Sequence, residues 1–333
     1  MIEIIKAKIA NGTYESSSSS YRSPIFVVPK KEKGKVRIVH DLQDLNRVTI
    51  KDAGVPPVID EVIEETAGRV IYSLVDVLVG YDHMKIAEQS RDLTTFQSPL
   101  GTFRLTVLSM GWSNSVSIFH GHIMFILQDE IPLKARPFID DIVIQGGRTK
   151  YLLSNGEPET LPENPGVHRF VFEHLEDFNR VLHRLKCTGV TISAKKISLC
   201  IPEISILGHK CNEFGRIPDS SHVDKVMNWP RCQSLTEVRG FLGVCNLMRI
   251  FIKDYAKKAN PLTRLTRKDV SFEWGPEQDA AMEILKSAIS NAPILVPLDY
   301  ASDRGVILSV DGSVIAAGWI LWQEDENGKR HPV

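Results

Sequence analysis

The sequence predicts an α+β protein in which β-hairpins and amphipathic helices alternate along the chain. Short runs rich in β-branched and aromatic residues predict strands, and these runs lie at 25–28, 36–39, 70–77, 137–139, 142–144, 306–311 and 318–322. Apolar residues at helical spacing predict helices at 57–67, 114–127 and 169–188. From Asp219 onward the chain is predicted to be mainly helical and basic, before the final strands.

Turn residues and apolar spacing place the elements of the first half. A basic turn at 30–35, which contains Gly34, separates the first two strands and predicts a hairpin with a cationic tip. Two further strands are predicted within 93–109, joined at Pro99-Leu100-Gly101. The polar segment 147–167, with three glycines and three prolines, predicts an exposed insertion.

Length and composition indicate an ordinary globular protein. The 333 residues suffice for two or three units at about 100–200 residues each. No apolar run approaches the roughly 20 residues of a membrane span, and no signal peptide opens the chain, so we expect an intracellular protein. The five cysteines show no C-x-x-C spacing, which favours free thiols over disulfides or a zinc site. His120 and His122 are interpreted as structural.

Basic residues are concentrated in two segments, although the formal net charge is −1. Between Arg22 and Arg37 there are six basic residues and one acid, and between Lys225 and Lys268 there are ten basic residues and two acids. Such local basic surfaces on a near-neutral protein suggest a groove for a polyanion. Charge alone leaves open a second interpretation, in which both segments are solvated faces.

Three aspartates occupy positions where a carboxylate needs an explanation. Asp140 and Asp141 fall where a hairpin would turn, between two apolar runs. Such a pair is usually just a solvated turn, but Asp76 stands near the end of a third strand of buried type. A charge in a buried strand is costly unless it is paired or coordinated. We therefore interpret the three carboxylates as one site.

Convergent carboxylates are suited to divalent cations. Magnesium prefers oxygen ligands in octahedral geometry, and two such ions about 4 Å apart can activate a 3′-hydroxyl and stabilise a pyrophosphate leaving group. The cationic turn at 30–35 would then face a triphosphate, and the basic segment 225–268 would hold a duplex by its phosphates. The chemistry alone allows either a polymerase or a two-metal nuclease.

The chain resembles a known family, the reverse transcriptase region of gypsy-class (metavirid) LTR retrotransposon polyproteins. The resemblance runs almost from end to end, and the matching blocks follow one another in the family's order. These blocks are Ser23-Pro24-Ile25-Phe26, Arg37-Ile38-Val39-His40-Asp41-Leu42, Leu45-Asn46, Leu74-Val75-Asp76-Val77, Gly80-Tyr81, Thr95 to Gly101, Met110 to Asn114, Phe138-Ile139-Asp140-Asp141, Ile206-Leu207-Gly208-His209, Asn228-Trp229-Pro230, Arg239 to Gly243 and Phe272-Glu273-Trp274.

The resemblance implies a right-hand polymerase fold of fingers, palm and thumb, followed by a truncated RNase H-like α/β domain. The boundaries it implies are 1–50 and 84–114 for the fingers, 51–83 and 115–214 for the palm with its insertion at 147–167, 215–297 for the thumb and connection helices, and 298–333 for the N-terminal fragment of the RNase H-like domain.

The resemblance also implies a role for particular residues. Asp76, Asp140 and Asp141 match the catalytic, metal-binding aspartates, and the Val77 carbonyl is a further ligand. Tyr81 matches the ring that excludes the 2′-hydroxyl of a ribonucleotide. The remaining matches are Lys30 or Lys31, Arg37, Met110 and Gly111 for the incoming dNTP, Leu207, Gly208 and His209 for the template–primer, and Asp311 for the first aspartate of an RNase H site.

The function implied is an RNA-directed DNA polymerase, a nucleotidyltransferase that uses two Mg²⁺ ions, with Mn²⁺ as an alternative. Its partners would be an RNA template, a DNA primer or RNA–DNA hybrid, and dNTPs, with no membrane. A parent polyprotein would supply the protease, the integrase and the rest of the RNase H domain. The expected location is a cytoplasmic virus-like particle, the nucleus, or both.

Two features leave an alternative open. The intact set of aspartates favours a working polymerase, whereas the missing polyprotein domains favour a truncated, decayed copy that only binds nucleic acid. A two-metal nuclease is disfavoured by Tyr81 and by the basic hairpin.

Because one aspartate on a lone hairpin cannot bind two metal ions, we expect no RNase H activity. Phe138, Gln43 and Val116 depart from the family's usual residues without touching the three aspartates.

Overall fold

The structure is a computed structural model that describes residues 1–29, 34–54, 57–300, 302–312 and 317–333. Strands and α-helices both run through this part of the chain. The strands are β1 (Tyr14–Ser16), β2 (Ile25–Pro29), β3 (Val36–His40), β4 (Tyr72–Asp76), β5 (Phe96–Ser98), β6 (Gly101–Leu105), β7 (Ala135–Phe138), β8 (Asp141–Gln145), β9 (Thr160–Leu161), β10 (Asn164–His168), β11 (Ser198–Ile201), β12 (Ile204–Ile206), β13 (His209–Asn212), β14 (Gly215–Pro218), β15 (Val306–Gly312), β16 (Ala317–Glu324) and β17 (Arg330–Pro332). The helices are α1 (Ile2–Ala10), α2 (Gln43–Val48), α3 (Ile59–Thr66), α4 (Glu88–Arg91), α5 (Ser115–Ile126), α6 (Arg169–Cys187), α7 (Ser220–Met227), α8 (Leu235–Leu247), α9 (Tyr255–Arg264) and α10 (Pro276–Ser290).

The chain divides into two compact units, each assembled from separate segments. Unit 1 comprises Met1–Pro57, Ser73–Ile144 and Leu175–Leu199. Unit 2 comprises Val58–Tyr72, Gln145–His174 and Cys200–Val333. The boundaries implied for fingers, palm, thumb and RNase H-like fragment stay predictions.

A four-stranded sheet with two helices forms the centre of unit 1. Its strand order is β11-β4-β8-β7, so the strand that ends in Asp76 lies beside the strand that begins with Asp141. Helices α5 and α6 bury an apolar face against this sheet. The resulting core, called the palm core below, contains Val75, Val77, Phe119, Ile123, Leu127, Ala135, Ile142, Ile144, Val181 and Leu185.

Two smaller sheets complete unit 1. Strands β2 and β3 form the predicted hairpin, in register from Ile25 opposite His40 to Pro29 opposite Val36. Strands β5 and β6 pair with Ser98 opposite Gly101, which confirms the predicted turn, and β1 pairs with the other edge of β6.

Helices α7 to α10 form the largest core of unit 2, in which Val238, Phe241, Leu262 and Leu285 are fully buried. Ser234 caps the N-terminus of helix α8, and its Oγ accepts a hydrogen bond from the Glu237 amide at 3.3 Å. Such N-caps satisfy amides that have no partner within the helix. Unit 2 also contains the sheets β12-β13-β14 and β15-β16-β17.

The insertion at 147–167 has defined structure, although none of its residues is buried. It contains β9 and β10, which pair antiparallel. Tyr151 Oη donates to Glu173 Oε2 at 2.8 Å, and the Arg169 guanidinium lies 4.3 Å from the centre of the Tyr151 ring. Polar and cation–π contacts, rather than a core, therefore hold this segment.

Two sequence-based expectations concern the whole chain. All five cysteines are free, as predicted. Within the residues that the structure describes, none of the helices is long and apolar enough to cross a membrane.

Candidate active site

The Asp140–Asp141 hairpin turns one residue earlier than its sequence suggests. Phe138 pairs with Asp141, so Ile139 and Asp140 form the two-residue loop and Asp141 is the first residue of β8. Ile139 has a φ of +59°, which is the conformation that tight hairpins require but that β-branched residues disfavour. Strain of this kind persists where the surrounding structure enforces it, commonly at functional sites.

A backbone hydrogen bond brings the third aspartate to this turn. The Val77 amide donates to the Asp140 carbonyl at 2.8 Å. Asp76 therefore lies at the end of β4 directly beside the hairpin tip, and it is only 7% exposed. Val77 itself is buried in the palm core, where its side chain anchors this end of the strand.

A lysine that the sequence analysis did not identify completes the cluster. The Ser193 amide donates to the Asp76 carbonyl at 2.9 Å. This bond holds the start of the segment that contains Lys196 beside Asp76. Lys196 Nζ then donates to Asp76 Oδ2 at 2.6 Å. The carboxylate of Asp76 thus has a cationic partner.

The electrostatics show that the three carboxylates act on one another. Burial raises the pKa of Asp141, and the negative charges of Asp140 and Asp76 raise it further. Lys196 acts in the opposite direction and lowers the Asp141 pKa. The hydrogen bond to Asp76 in turn raises the pKa of Lys196. The cluster is therefore an anionic site that stabilises a positive charge.

The donor atoms of this site fit a hard divalent cation. Magnesium takes carboxylate and carbonyl oxygens, and the site offers three carboxylates with one lysine as the counter-charge. Across the described ranges, no group of three or more His, Cys, Asp or Glu side chains has geometry ready to hold a metal ion.

Tyr81 lies next to the carboxylates on a turn of 3₁₀ helix, Gly80–His83. Its ring centre is 5.3 Å from that of Phe119 in α5. Burial raises the pKa of Tyr81, and the charge of Asp140 raises it further. An aromatic ring therefore lies beside the aspartates, and its role as a gate stays a prediction.

The Met110–Gly111 turn is held by a side chain from α2. Asn46 Nδ2 donates to the Gly111 carbonyl at 2.8 Å, and Asn46 Oδ1 accepts from the Ser113 amide at 2.9 Å. Gly111 has a φ of +96°, which favours glycine. Met110 is 65% exposed, so its side chain is accessible to a ligand.

The predicted triphosphate contacts are only partly described. Arg37 is exposed on β3, opposite Val28. Lys30 and Lys31 lie outside the described residues. The roles of all three stay predictions.

The predicted template–primer residues lie in unit 2, on the turn between β12 and β13. Leu207 and Gly208 both have positive φ, +51° and +86°, as a tight hairpin requires. His209 is only 3% exposed, its ring packs on Phe251, and burial lowers its pKa to about 4. A contact with primer would therefore involve the backbone of the turn rather than the His209 imidazole.

Asp311, the predicted RNase H aspartate, is exposed on β15 and pairs with Gly318 on β16. It lies in unit 2, whereas the three aspartates described above lie in unit 1.

The family model described as reverse transcriptase (RNA-dependent DNA polymerase) matches residues 28–211, more than half of the 333-residue chain. The chain belongs to the reverse transcriptase family. A second model, described as an RNase H-like domain found in reverse transcriptase, matches residues 274–333. The first match contains the three aspartates, Tyr81 and Lys196.

Relatives of this reverse transcriptase chain are retrotransposon polyproteins. It is 31% identical to the retrovirus-related Pol polyprotein from transposon 412 of Drosophila melanogaster, over 99% of the chain and 25% of the relative. It is 27% identical to the transposon Tf2-3 polyprotein of Schizosaccharomyces pombe, over 100% of the chain and 23% of the relative. The chain thus spans about a quarter of the length of these relatives.

Solved structures confirm the reverse transcriptase fold. The foamy viral protease-reverse transcriptase dRH in complex with double-stranded DNA matches with a TM-score of 0.82 and 23% identity, over 99% of this chain and 53% of that chain. The foamy viral protease-reverse transcriptase in complex with an RNA/DNA hybrid matches with a TM-score of 0.79 and 22% identity, over 99% and 41%.

Proposed function

We propose that this chain catalyses RNA-directed DNA synthesis, adding deoxynucleotides to a primer 3′-hydroxyl on an RNA or DNA template. The observation that carries the proposal is the Val77–Asp140 hydrogen bond, which holds Asp76 beside the Asp140–Asp141 turn. Membership of the reverse transcriptase family supports it. The foamy viral structures contain double-stranded DNA or an RNA/DNA hybrid, and we propose the same classes of nucleic acid for this chain.

We assign each residue of the candidate active site a role in nucleotide addition. Asp76, Asp140, Asp141 and the Val77 carbonyl would hold two Mg²⁺ ions, or Mn²⁺, which when bound activate the hydroxyl and stabilise the leaving pyrophosphate. Lys196 balances the charge of the carboxylates through Asp76. Tyr81 would exclude the 2′-hydroxyl of a ribonucleotide. Arg37, with Lys30 or Lys31, supplies positive charge to the triphosphate.

The basic segment 225–268 is proposed to hold the template–primer duplex. Nine of its ten lysines and arginines are exposed, and Lys258 is partly buried. Contacts to phosphates position a duplex without reading its sequence. This matches the needs of a polymerase that must copy any template.

Primer extension tests the proposal. The purified chain, with an RNA template, a DNA primer, dNTPs and Mg²⁺, should extend the primer, and the double variant Asp140→Asn/Asp141→Asn should not. Asp129→Asn/Asp224→Asn is a matched control, because it also removes two carboxylates but changes sites outside the cluster. Equal loss in both double variants would contradict the assignment of the site.

A second candidate function is nucleic-acid binding without synthesis, and the exposed basic segment favours it. Under this alternative the chain binds an RNA–DNA hybrid, but neither Mg²⁺ nor Mn²⁺ supports extension. Binding of the hybrid without primer extension would therefore contradict the polymerase proposal and support the alternative, a decayed copy that only binds nucleic acid. Degradation of the hybrid's RNA by the chain would contradict our further expectation that it lacks RNase H activity.

A further inference from the structure

Gly80 is in unusually close contact with Phe119. A Cβ atom on residue 80 would lie 2.5 Å from Phe119 Cζ and 2.9 Å from Cε2, closer than real carbon atoms approach. Gly80 does not belong to the glycines with positive φ. The glycine is therefore required by the approach of the Phe119 ring and not by the backbone conformation.

Phe119 cannot move away from this contact without disturbing its surroundings. It is 1% exposed and belongs to the palm core together with Val75 and Ile123. Interiors are packed densely, so a displaced ring has to push its neighbours. Another of those neighbours is Tyr81, whose ring lies 5.3 Å away at an interplanar angle of 53°. The backbone at Gly80 and the ring of Tyr81 thus both contact the same buried phenyl group.

We propose that Phe119 is a positioning residue for sugar selection: it supports the Tyr81 ring and sets how far that ring reaches toward the incoming sugar. This inference rests on the proposed polymerase function. A shorter side chain at position 119 would let the Tyr81 ring settle toward the core and would open space for a 2′-hydroxyl. A longer side chain at position 80 would push Phe119 and displace Tyr81.

Substitution by leucine tests the support directly. Phe119→Leu should raise kcat/KM for a ribonucleotide, and so lower the preference for the deoxynucleotide by roughly tenfold, a size typical of discrimination by cavity shape. The kcat for the deoxynucleotide should change much less. Phe178→Leu is the control, because Phe178 packs against the same core from α6. An equal fall in preference in both variants would show a general effect of core damage and would overturn the inference.

A compensating pair tests the contact with Gly80. Gly80→Ala should lower deoxynucleotide incorporation at least tenfold, because its methyl group collides with Phe119. Adding Phe119→Leu should restore much of that incorporation, since leucine lacks the ring atoms of the collision. Gly80→Ala/Phe178→Leu should remain as defective as Gly80→Ala. If the activity lost in Gly80→Ala/Phe119→Leu equals the product of the losses in the two single variants, the proposed contact between Gly80 and Phe119 is contradicted.

A measurement without catalysis separates this inference from the proposed function. If the wild-type chain extends no primer, the polymerase proposal fails, and ¹⁹F NMR of the chain labelled with 3-fluorotyrosine decides the inference. The Tyr81 signal is assigned among seven tyrosines by its loss in Tyr81→Phe. It should shift in Phe119→Leu and stay in place in Phe178→Leu. An unmoved signal in Phe119→Leu would overturn the inference.

Discussion

Lys196 Nζ lies 2.6 Å from Asp76 Oδ2. This ion pair joins the last segment of unit 1, Leu175–Leu199, to the end of strand β4. Asp76 is nearly buried, whereas the Lys196 side chain is 65% exposed. The Lys196 ammonium group can therefore be hydrated when it leaves, and an arriving cation can take over as the partner of the buried Asp76 carboxylate.

Removing this lysine should strengthen binding of divalent cations. Lys196→Met deletes a positive charge beside three carboxylates, and Coulomb attraction then predicts roughly three- to tenfold tighter binding of Mg²⁺. Calorimetric titration with MgCl₂ measures the change. Lys195→Met, on the exposed neighbouring residue, should leave the affinity near its wild-type value. Weaker binding in Lys196→Met would show that the lysine organises the carboxylates rather than competing for them.

Loss of the Asn46 side chain should weaken nucleotide binding. Asn46→Ala removes two hydrogen bonds that hold the turn at Gly111 and Ser113. At about 1 kcal/mol each, their loss should raise KM for a dNTP by up to roughly thirtyfold. Steady-state primer extension gives KM and kcat separately. Arg47→Ala, which removes an exposed side chain of the same helix, is the control, and a similar KM in both variants would contradict the prediction.

Two glycines of unit 2 should respond very differently to alanine. A Cβ on Gly215 would lie 2.2 Å from the Leu295 carbonyl oxygen, and the backbone there has a φ of +140°. Gly328 has a φ of +74°, with no atom within 4 Å of the added Cβ. Gly328→Ala should cost about 1 kcal/mol of unfolding free energy, and Gly215→Ala more than about 3 kcal/mol. Urea unfolding monitored by tryptophan fluorescence compares them, and equal midpoints would contradict the packing described.

Removal of two charges from the basic segment should reduce the salt dependence of hybrid binding. Lys253 and Lys257 are both exposed. If each lysine contacts a phosphate, replacing both by alanine should make the negative slope of log K against log salt shallower by about 1.8. Fluorescence anisotropy with an RNA–DNA hybrid at several KCl concentrations measures the slope. Lys6→Ala/Lys329→Ala makes the same change in net charge elsewhere, and its slope should not change.

The hairpin that carries two of the aspartates was predictable, but its turn was not. Apolar, β-branched residues on both sides of Asp140 and Asp141 indicate two strands. A shift of the loop by one residue leaves that pattern unchanged, and the pairing of Phe138 with Asp141 is what places Ile139 in the turn. The sequence pattern therefore predicts the hairpin, whereas the structure is needed to define which residues pair across it.

Residues that act through long-range contacts escaped the sequence analysis. Lys196 stands in a short stretch with no repeating pattern, and its partner Asp76 is 120 positions away. Asn46 was noticed only within a matching block, because its bonds reach residues more than 60 positions later. His209 belongs to the block matched to the template–primer, and the sequence does not show that its ring packs on Phe251.

The separation of the chain into two units has a consequence for how such an enzyme could vary. The aspartates, Tyr81, Phe119 and Lys196 all lie in unit 1, and the basic segment lies entirely in unit 2. On the proposed function, sugar selection would depend on residues of unit 1, and the grip on the duplex would depend on the basic segment of unit 2. Substitutions confined to one unit would then change one of these properties without replacing any residue assigned to the other.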